Sequence, residues 1–296
     1  MKVYFPSYYN KFKCIAEKCR HSCCVGWEIE VDEDTLRKYE RAWREDIMSH
    51  ISCGSIELCD DGRCPFLTEC GLCRIISELG DEYTSVICRE HPRFYHRIGE
   101  RVEGGIGASC EEAARIILST DDYDSFISVE KDSVSAPDET ELDTITEREE
   151  IYNLLSDRAL PFSTRVAKIR ERYALPKKLH TCDEWREIFL ELELLDESHR
   201  ALLAVGGSDE KEINSVFYER FLAYLIFRHV SVAEHHDNLR ARVAFCLLLA
   251  EIFENFASSG ERSEAEIAEA ARIISEEIEY SEDNTASLIF EIESLI

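Results

Sequence analysis

The pattern of apolar and polar positions divides the chain into an irregular first third and a helical remainder. In the first third, Trp27-Glu-Ile-Glu-Val31 alternates apolar and acidic side chains, which predicts a short half-buried strand. Asp32 then opens a predicted helix over 34–43, with Leu36, Tyr39 and Trp43 along one face. Gly71 to Gly80 reads as a short helix ended by glycine, and 95–106 as a hairpin around Gly99-Glu100. Glu111-Glu-Ala-Ala-Arg-Ile-Ile-Leu118 predicts a helix whose first turn carries the acidic pair. From about Thr146 the pattern is helical throughout. Ser208 is a cap for a helix in which Ile213, Val216, Phe217, Phe221, Leu225 and Ile226 cover a wide face, as a buried central helix would. Ser263-Glu-Ala-Glu266 is a capping box, followed by a stripe of Ile267, Ala270, Ala271, Ile274 and Ile278. The expected fold is mainly α. An irregular cysteine-rich metal- or cluster-binding domain with a little β occupies 1–120, an acidic linker or surface loop 121–146, and a helical bundle 147–296.

The linker expectation comes from composition. Residues 121–150 hold 12 acidic against two basic side chains, with Ser and Pro breakers and few large apolar groups. Charge is uneven over the whole chain too. Residues 1–120 carry 16 Lys and Arg against 21 Asp and Glu, residues 121–296 carry 18 against 40, and the total is −27. Such a surface repels nucleic acid and anionic membrane and suits a lysine-bearing protein partner. The chain is 45% apolar, as a folded globular protein is, and no apolar run approaches the roughly 18 residues of a membrane span. The N-terminus lacks the apolar core and cleavage site of a secretion signal, so a cytoplasmic protein is expected.

The candidate chemistry lies in thiols. Eleven of the 13 cysteines fall between Cys14 and Cys110, an odd total in a reducing compartment, which argues against a disulfide framework. Thiolates select zinc or iron–sulfur clusters over harder cations, and four of them suffice for either. Only Cys70 and Cys73 have the Cys-x2-Cys spacing of a zinc knuckle, whereas Cys14-x4-Cys19-x3-Cys23-Cys24 is irregular and suits a larger cluster or two sites. Cys19-x3-Cys23 begins the radical adenosylmethionine pattern, but Gly26 stands where its third thiol belongs. No glycine-rich nucleotide loop is evident after a strand, which excludes the doubly wound methyltransferase fold.

The motifs Phe12-Lys-Cys14-x4-Cys19-x3-Cys23-Cys24-x-Gly26-Trp27, Cys64-Pro-Phe-Leu67, Gly71-Leu-Cys-Arg-Ile75, Glu78-Leu-Gly80, Cys88-Arg-x-x-Pro92-Arg93 and Ser109-Cys110-Glu-Glu-Ala-Ala-Arg115 resemble the flagellin lysine-N-methylase (FliB-type) family, related to zinc- or iron-chelating cysteine-cluster proteins. The likeness covers roughly 8–118, and Phe217 to Arg228 is similar to a further helix of that family. It implies S-adenosylmethionine-dependent methylation of flagellin lysines and a [4Fe-4S] cluster. The positions it assigns to metal are Cys14, Cys19, Cys23, Cys24, Cys64, Cys73, Cys88 and Cys110. Zinc is the alternative metal, and a non-catalytic metal-binding module the alternative function. Arg89 and Arg93 are candidates for the carboxylate of adenosylmethionine, or for balancing a cluster's negative charge. Cys53, Cys59 and Cys70 are spectators or ligands of a second metal. Cys182 and Cys246 are expected to pack in helices, and Trp27 and Trp43 to be core aromatics. His91 and His96 read as surface or hydrogen-bonded histidines, and His235-His236 as exposed decoration.

Overall fold

The computed structural model describes residues 2–130, 143–203, 216–258 and 260–296. Six strands lie among them: β1 (Lys2–Pro6), β2 (Ile51–Ser52), β3 (Ser55–Ile56), β4 (Arg93–Ile98), β5 (Arg101–Ile106) and β6 (Phe126–Glu130). The remaining regular elements are helices, so the fold is mainly α.

Chain contacts separate two compact units. One comprises 1–12, 95–109 and 113–296; the other comprises 13–94 and 110–112. This division differs from one drawn by cysteine content, and the reason is β-pairing. β1 runs parallel to β5, with Val3 opposite Val102, and antiparallel to β6, with Val3 opposite Val129, giving the order β4-β5-β1-β6. The N-terminal strand is therefore committed to the unit that carries the helices. Val3, Phe5 and Val102 form its small sheet core. Within the expected acidic linker, 126–130 is the fourth strand of this sheet and Tyr123 is buried; residues 131–142 lie outside the described residues, as do Ser208 and Ile213.

The helical unit is centred on helices Val216–Val230 and His236–Ala257, both apolar on nearly every side. A helix buried all round must find partners all round. Glu264–Ile274 begins with the expected capping box, Ser263 and Glu266 satisfying each other's backbone donors. A π-turn, Ser275–Glu279, follows it. His235 is exposed and caps its helix by accepting from the Asn238 N–H.

Charged groups also penetrate this unit. Arg148 holds Glu103 through two bonds of 2.5 and 2.9 Å, both side chains essentially inaccessible. Glu219 takes Arg165 at 2.6 Å, Arg158 at 2.9 Å and the Tyr123 hydroxyl at 2.9 Å. Glu279 receives the Tyr224 hydroxyl and the His229 ring. Each buried carboxylate is thus partnered, the condition under which burial of charge is tolerated. His96 belongs here, buried rather than at a surface, and burial holds its ring neutral with a pKa lowered to about 3.

The cysteine-rich unit has a smaller core of Ile29, Val31, Tyr39, Ile47, Ile56, Phe66 and Ile75. Trp27–Val31 does not form the expected strand. Ile29 and Val31 do alternate inward, but only the bridge Glu30–Ser55 and the bonds Val31 N–H to Gly54 and Ile56 N–H to the Ile29 carbonyl are made, because β2 and β3 are two residues long. Asp32 caps helix Glu33–Arg41 through the Thr35 N–H. Trp43 lies beyond that helix at φ 53° and is 85% exposed, so it is not a core aromatic. Leaving the helix through a left-handed residue turns its ring away from the face that Tyr39 buries.

Candidate metal centre

The centre is assembled by local structure in the cysteine-rich unit. The Cys64 N–H donates to the Cys24 carbonyl (2.8 Å), and Gly26 N–H to the Gly62 carbonyl (2.9 Å), which lashes 24–26 to 62–64. Gly62 adopts φ 75° in the turn that permits this approach. The Arg74 N–H reaches the Phe66 carbonyl (2.8 Å), and Leu67 bridges Cys73, bringing in the third cysteine. Cys73 is the cap of helix Arg74–Leu79, which Gly80 ends at φ 103°. Cys88 sits in helix Val86–Glu90, whose start is tied to the Asp32 carboxylate by the Val86 N–H (2.9 Å).

These segments bring sulfurs together. Burial, together with the nearby sulfurs of Cys24, Cys73 and Cys88, pushes the Cys64 thiol up to about 12. Burial likewise raises Cys73, helped by Cys24, and raises Cys88, helped by Cys24 and Cys73. Each of Cys24, Cys64, Cys73 and Cys88 therefore bears on the other three. Tyr39, pushed up by burial, also feels Cys88, Cys73 and Cys64, which puts the group over the unit's core. Cys23 hydrogen-bonds Cys24, which holds the Cys23 thiol up and brings Cys24 down to about 7; Cys23 is also pushed by Cys110 and Cys88.

All of these thiols are free of disulfides. Backbone N–H groups of Phe66 at Cys64 and of Ile76 and Ile75 at Cys73 work against the rise of those two thiols, and the Ser22 hydroxyl accepts from the Cys24 N–H at 3.2 Å. Cys64 is buried, Cys24 and Cys73 are half-buried and Cys88 is exposed, and among the described residues no three of these sulfurs lie within 4.8 Å of one another, a spacing wider than a single tetrahedral ion needs and one that suits a thiophilic cluster.

No family model matches the chain, and no solved structure does. Relatives do. The lysine-N-methylases of Salmonella choleraesuis and Salmonella typhimurium are each 32% identical over 130 residues, 40% of this chain and 32% of theirs. The flagellar biosynthetic protein FliU of Salmonella muenchen is 30% identical over 143 residues, 44% of this chain and 83% of FliU. The chain belongs to the flagellin lysine-N-methylase family. It spans about a third of the length of the two lysine-N-methylases.

The eight cysteines that resemblance to the flagellin lysine-N-methylase family picks out fall into three groups. Cys24, Cys64, Cys73 and Cys88 make the quartet, and Cys23 and Cys110 flank it. Cys14 and Cys19 bear on each other separately, and the Cys19 thiol donates to the His21 carbonyl (3.0 Å) beside Glu111, which Arg20 fixes at 2.8 Å. Cys53, Cys59 and Cys70 are exposed; Thr68 Oγ1 lies 3.2 Å from Cys70 Sγ, and Ser52 Oγ 3.9 Å from Cys53 Sγ. Arg89 donates to the Thr84 carbonyl (2.9 Å) and Arg93 to the Arg89 carbonyl (3.4 Å), so both are anchored to backbone within a few residues of Cys88. Cys246 is fully buried in its helix, whereas Cys182 is half-buried.

Two features escaped the sequence. Glycines run from the end of β5 toward helix Glu111–Leu118, but they serve packing: a side chain at Gly104, within β5, would lie 2.6 Å from the Phe5 ring, and one at Gly107, just after it, would collide with Tyr280 and Arg228. His199, Glu276 and Glu277 place a ring nitrogen and two carboxylates within 4.8 Å. Glu277, however, already accepts from the Leu195 N–H (2.7 Å), the Asp196 N–H (3.1 Å) and His199 (2.6 Å), and Arg272 holds Glu276 (2.6 Å), so this cluster is an ion-pair network.

Proposed function

We propose that the protein is an S-adenosylmethionine-dependent protein-lysine N-methyltransferase acting on flagellin, and that its cysteine-rich unit carries a [4Fe-4S] cluster on Cys24, Cys64, Cys73 and Cys88. The observation that carries this reading is the mutual approach of those four thiols in a member of a family whose relatives are named for lysine methylation and flagellar biosynthesis. A cluster so bound would supply one-electron redox chemistry, which zinc, the alternative, would lack. The protein's own part is to seat Cys24, Cys64 and Cys73 against Tyr39, Phe66 and Ile75, which limit solvent from beneath, and to place backbone N–H groups at Cys64 and Cys73 so that their negative charge is spread. Arg89 and Arg93, beside Cys88, offset the remaining negative charge. A free lysine, with a pKa of about 10.4, must lose its proton before it accepts a methyl group. A lysine-bearing protein is drawn by the acidic surface of residues 121–296. Thirteen cysteines outside any disulfide suit the reducing cytoplasm. No helix among the described residues is long and apolar enough to cross a membrane.

The test is direct. Anaerobically purified protein is incubated with methyl-labelled S-adenosylmethionine and flagellin, and label is sought on flagellin lysines. Transfer that depends on the protein supports the enzyme; unlabelled flagellin with a fully loaded metal centre supports a non-catalytic metal-binding module.

A further inference from the structure

The helical unit contains a cavity of about 260 Å3 among helices Phe162–Arg172, Cys182–Glu191 and His236–Ala257. Val166, Leu248 and the Trp185 indole give it an apolar wall. Trp185 is held in place by His180, whose ring meets it edge-on at 4.9 Å and is itself tied to Glu291 at 2.6 Å. Two carboxylates, Glu251 and Glu254, and three cations, Arg170, Lys177 and Lys178, face the same space. Arg170 bridges Glu251 and the Pro176 carbonyl. Glu254 accepts the Ser258 hydroxyl at 2.6 Å.

Glu251 behaves as the wall of a recess and not as a surface residue. Its side chain is 32% accessible, yet burial raises its carboxyl above the usual carboxylate range in spite of Arg170 and Lys178. A carboxylate on open surface would be fully hydrated; Glu251 is about one-third accessible and is held by Arg170. That combination constrains the occupant. An apolar guest would leave two carboxylates desolvated without gain. A simple cation would meet Arg170, Lys177 and Lys178, and a simple anion would meet Glu251 and Glu254. A zwitterion offers each wall its complement, and an indole beside an aliphatic wall suits an extended apolar or aromatic body.

We infer that this cavity binds a zwitterionic α-amino acid with an extended apolar or aromatic body, its ammonium directed at Glu251 and Glu254, its carboxylate at Lys178 and its body against Trp185 and Leu248. The inference stands on the cavity alone. Its extension to S-adenosylmethionine as the particular amino acid rests on the proposed methyltransferase reading.

The experiment is calorimetric titration of the full chain, purified anaerobically with its metal, against five probes: S-adenosylmethionine, S-adenosylhomocysteine, L-methionine, N-acetyl-lysine methylamide as a cation alone and hexanoate as an anion alone. Ala167→Trp, which places a ring into the cavity from an exposed helix position, and Lys178→Met, which removes its exposed cation, are titrated alongside Arg89→Ala/Arg93→Ala. The expected result is binding of at least one zwitterion, weakened tenfold or more by Ala167→Trp and by Lys178→Met and unchanged in the arginine double variant, with neither single-charge probe binding comparably. Methionine binding without the adenosyl compounds upholds the cavity and detaches it from methyl transfer. The inference is overturned if no zwitterion binds, if the lysine mimic or hexanoate binds as tightly, or if affinity falls only in the arginine variant. Flagellin labelling measured on the same preparations separates these results from failure of the proposed activity.

Discussion

In the helical unit, side chains such as Phe221, Leu225, Phe245 and Leu249 fill the interior, and charges enter it only in partnered sets such as Glu103 with Arg148. In the cysteine-rich unit the apolar core is a handful of residues, and Cys24, Cys64 and Cys73 pack directly against it. The first unit can be held by apolar burial and completed by ion pairs. The second buries too little to be held that way, and small cores of this kind are commonly completed by a metal or by disulfides. With its cysteines unpaired, the proposed metal centre is the device that would complete it. The contrast teaches that polar groups stand in opposite positions in the two units: in one they are tolerated by an existing core, and in the other, under the proposed metal centre, they would supply what the core lacks.

Removing the metal should give the largest separation between the units. Structural metal sites contribute on the order of 10 kcal/mol to the domains they fold. Chelation is therefore expected to abolish hydrogen-exchange protection over 24–88 while amides of 218–230 and 239–256 keep theirs. Equal loss in both would erase the contrast.

Arg148→Met attacks the other side of it. Stranding a buried carboxylate costs about 3–5 kcal/mol, and because Arg101 still reaches Glu103 at 2.7 Å the loss should lie near the lower end. Urea titration checks it, and adding Glu103→Gln should recover most of the deficit. Metal content should not change.

Acid supplies a third probe. His96 is neutral in the folded unit, its pKa about 3, whereas the unfolded chain takes up a proton near pH 6.5. Between those values the unfolded state binds more protons, so stability falls as pH falls. From pH 7 to 5 the wild type should lose about 2 kcal/mol relative to His96→Phe in paired denaturation curves. His199 acts in the opposite sense. Its ring is raised by Glu277, so its contribution is complete below about pH 6.5 and fades as pH rises through the elevated value.

Ser263→Ala should be the mildest of the stability effects, about 1 kcal/mol by thermal unfolding, through loss of a helix cap.

Much of this was readable in the residues wherever the cause is local. The acidic pair ahead of Ala113-Ala114 marks helix 111–118 where it lies, and the Ser263–Glu266 box and Gly80 mark their helix ends. The sheet was not, because β1 pairs with strands about a hundred positions away and carries no turn signal linking it to them. Trp43 departs from the expectation because the helix ends at Arg41 and Trp43 itself is the left-handed residue beyond it, so helical periodicity does not reach its ring. At the candidate centre, cysteine density marked the region and the family motifs marked eight thiols. Spacing held no information on which four approach one another; that depends on Cys64 pairing with Cys24 and on Arg74 pairing with Phe66.

The central claim, that Cys24, Cys64, Cys73 and Cys88 hold one inorganic centre, is tested most directly by measuring iron, acid-labile sulfide and zinc per chain in anaerobically purified wild type, Cys64→Ser and Cys59→Ser. The account predicts iron and sulfide in equal amounts in the wild type, unchanged in Cys59→Ser and lost in Cys64→Ser. Full retention in Cys64→Ser, or a wild type with neither iron nor zinc, would contradict it.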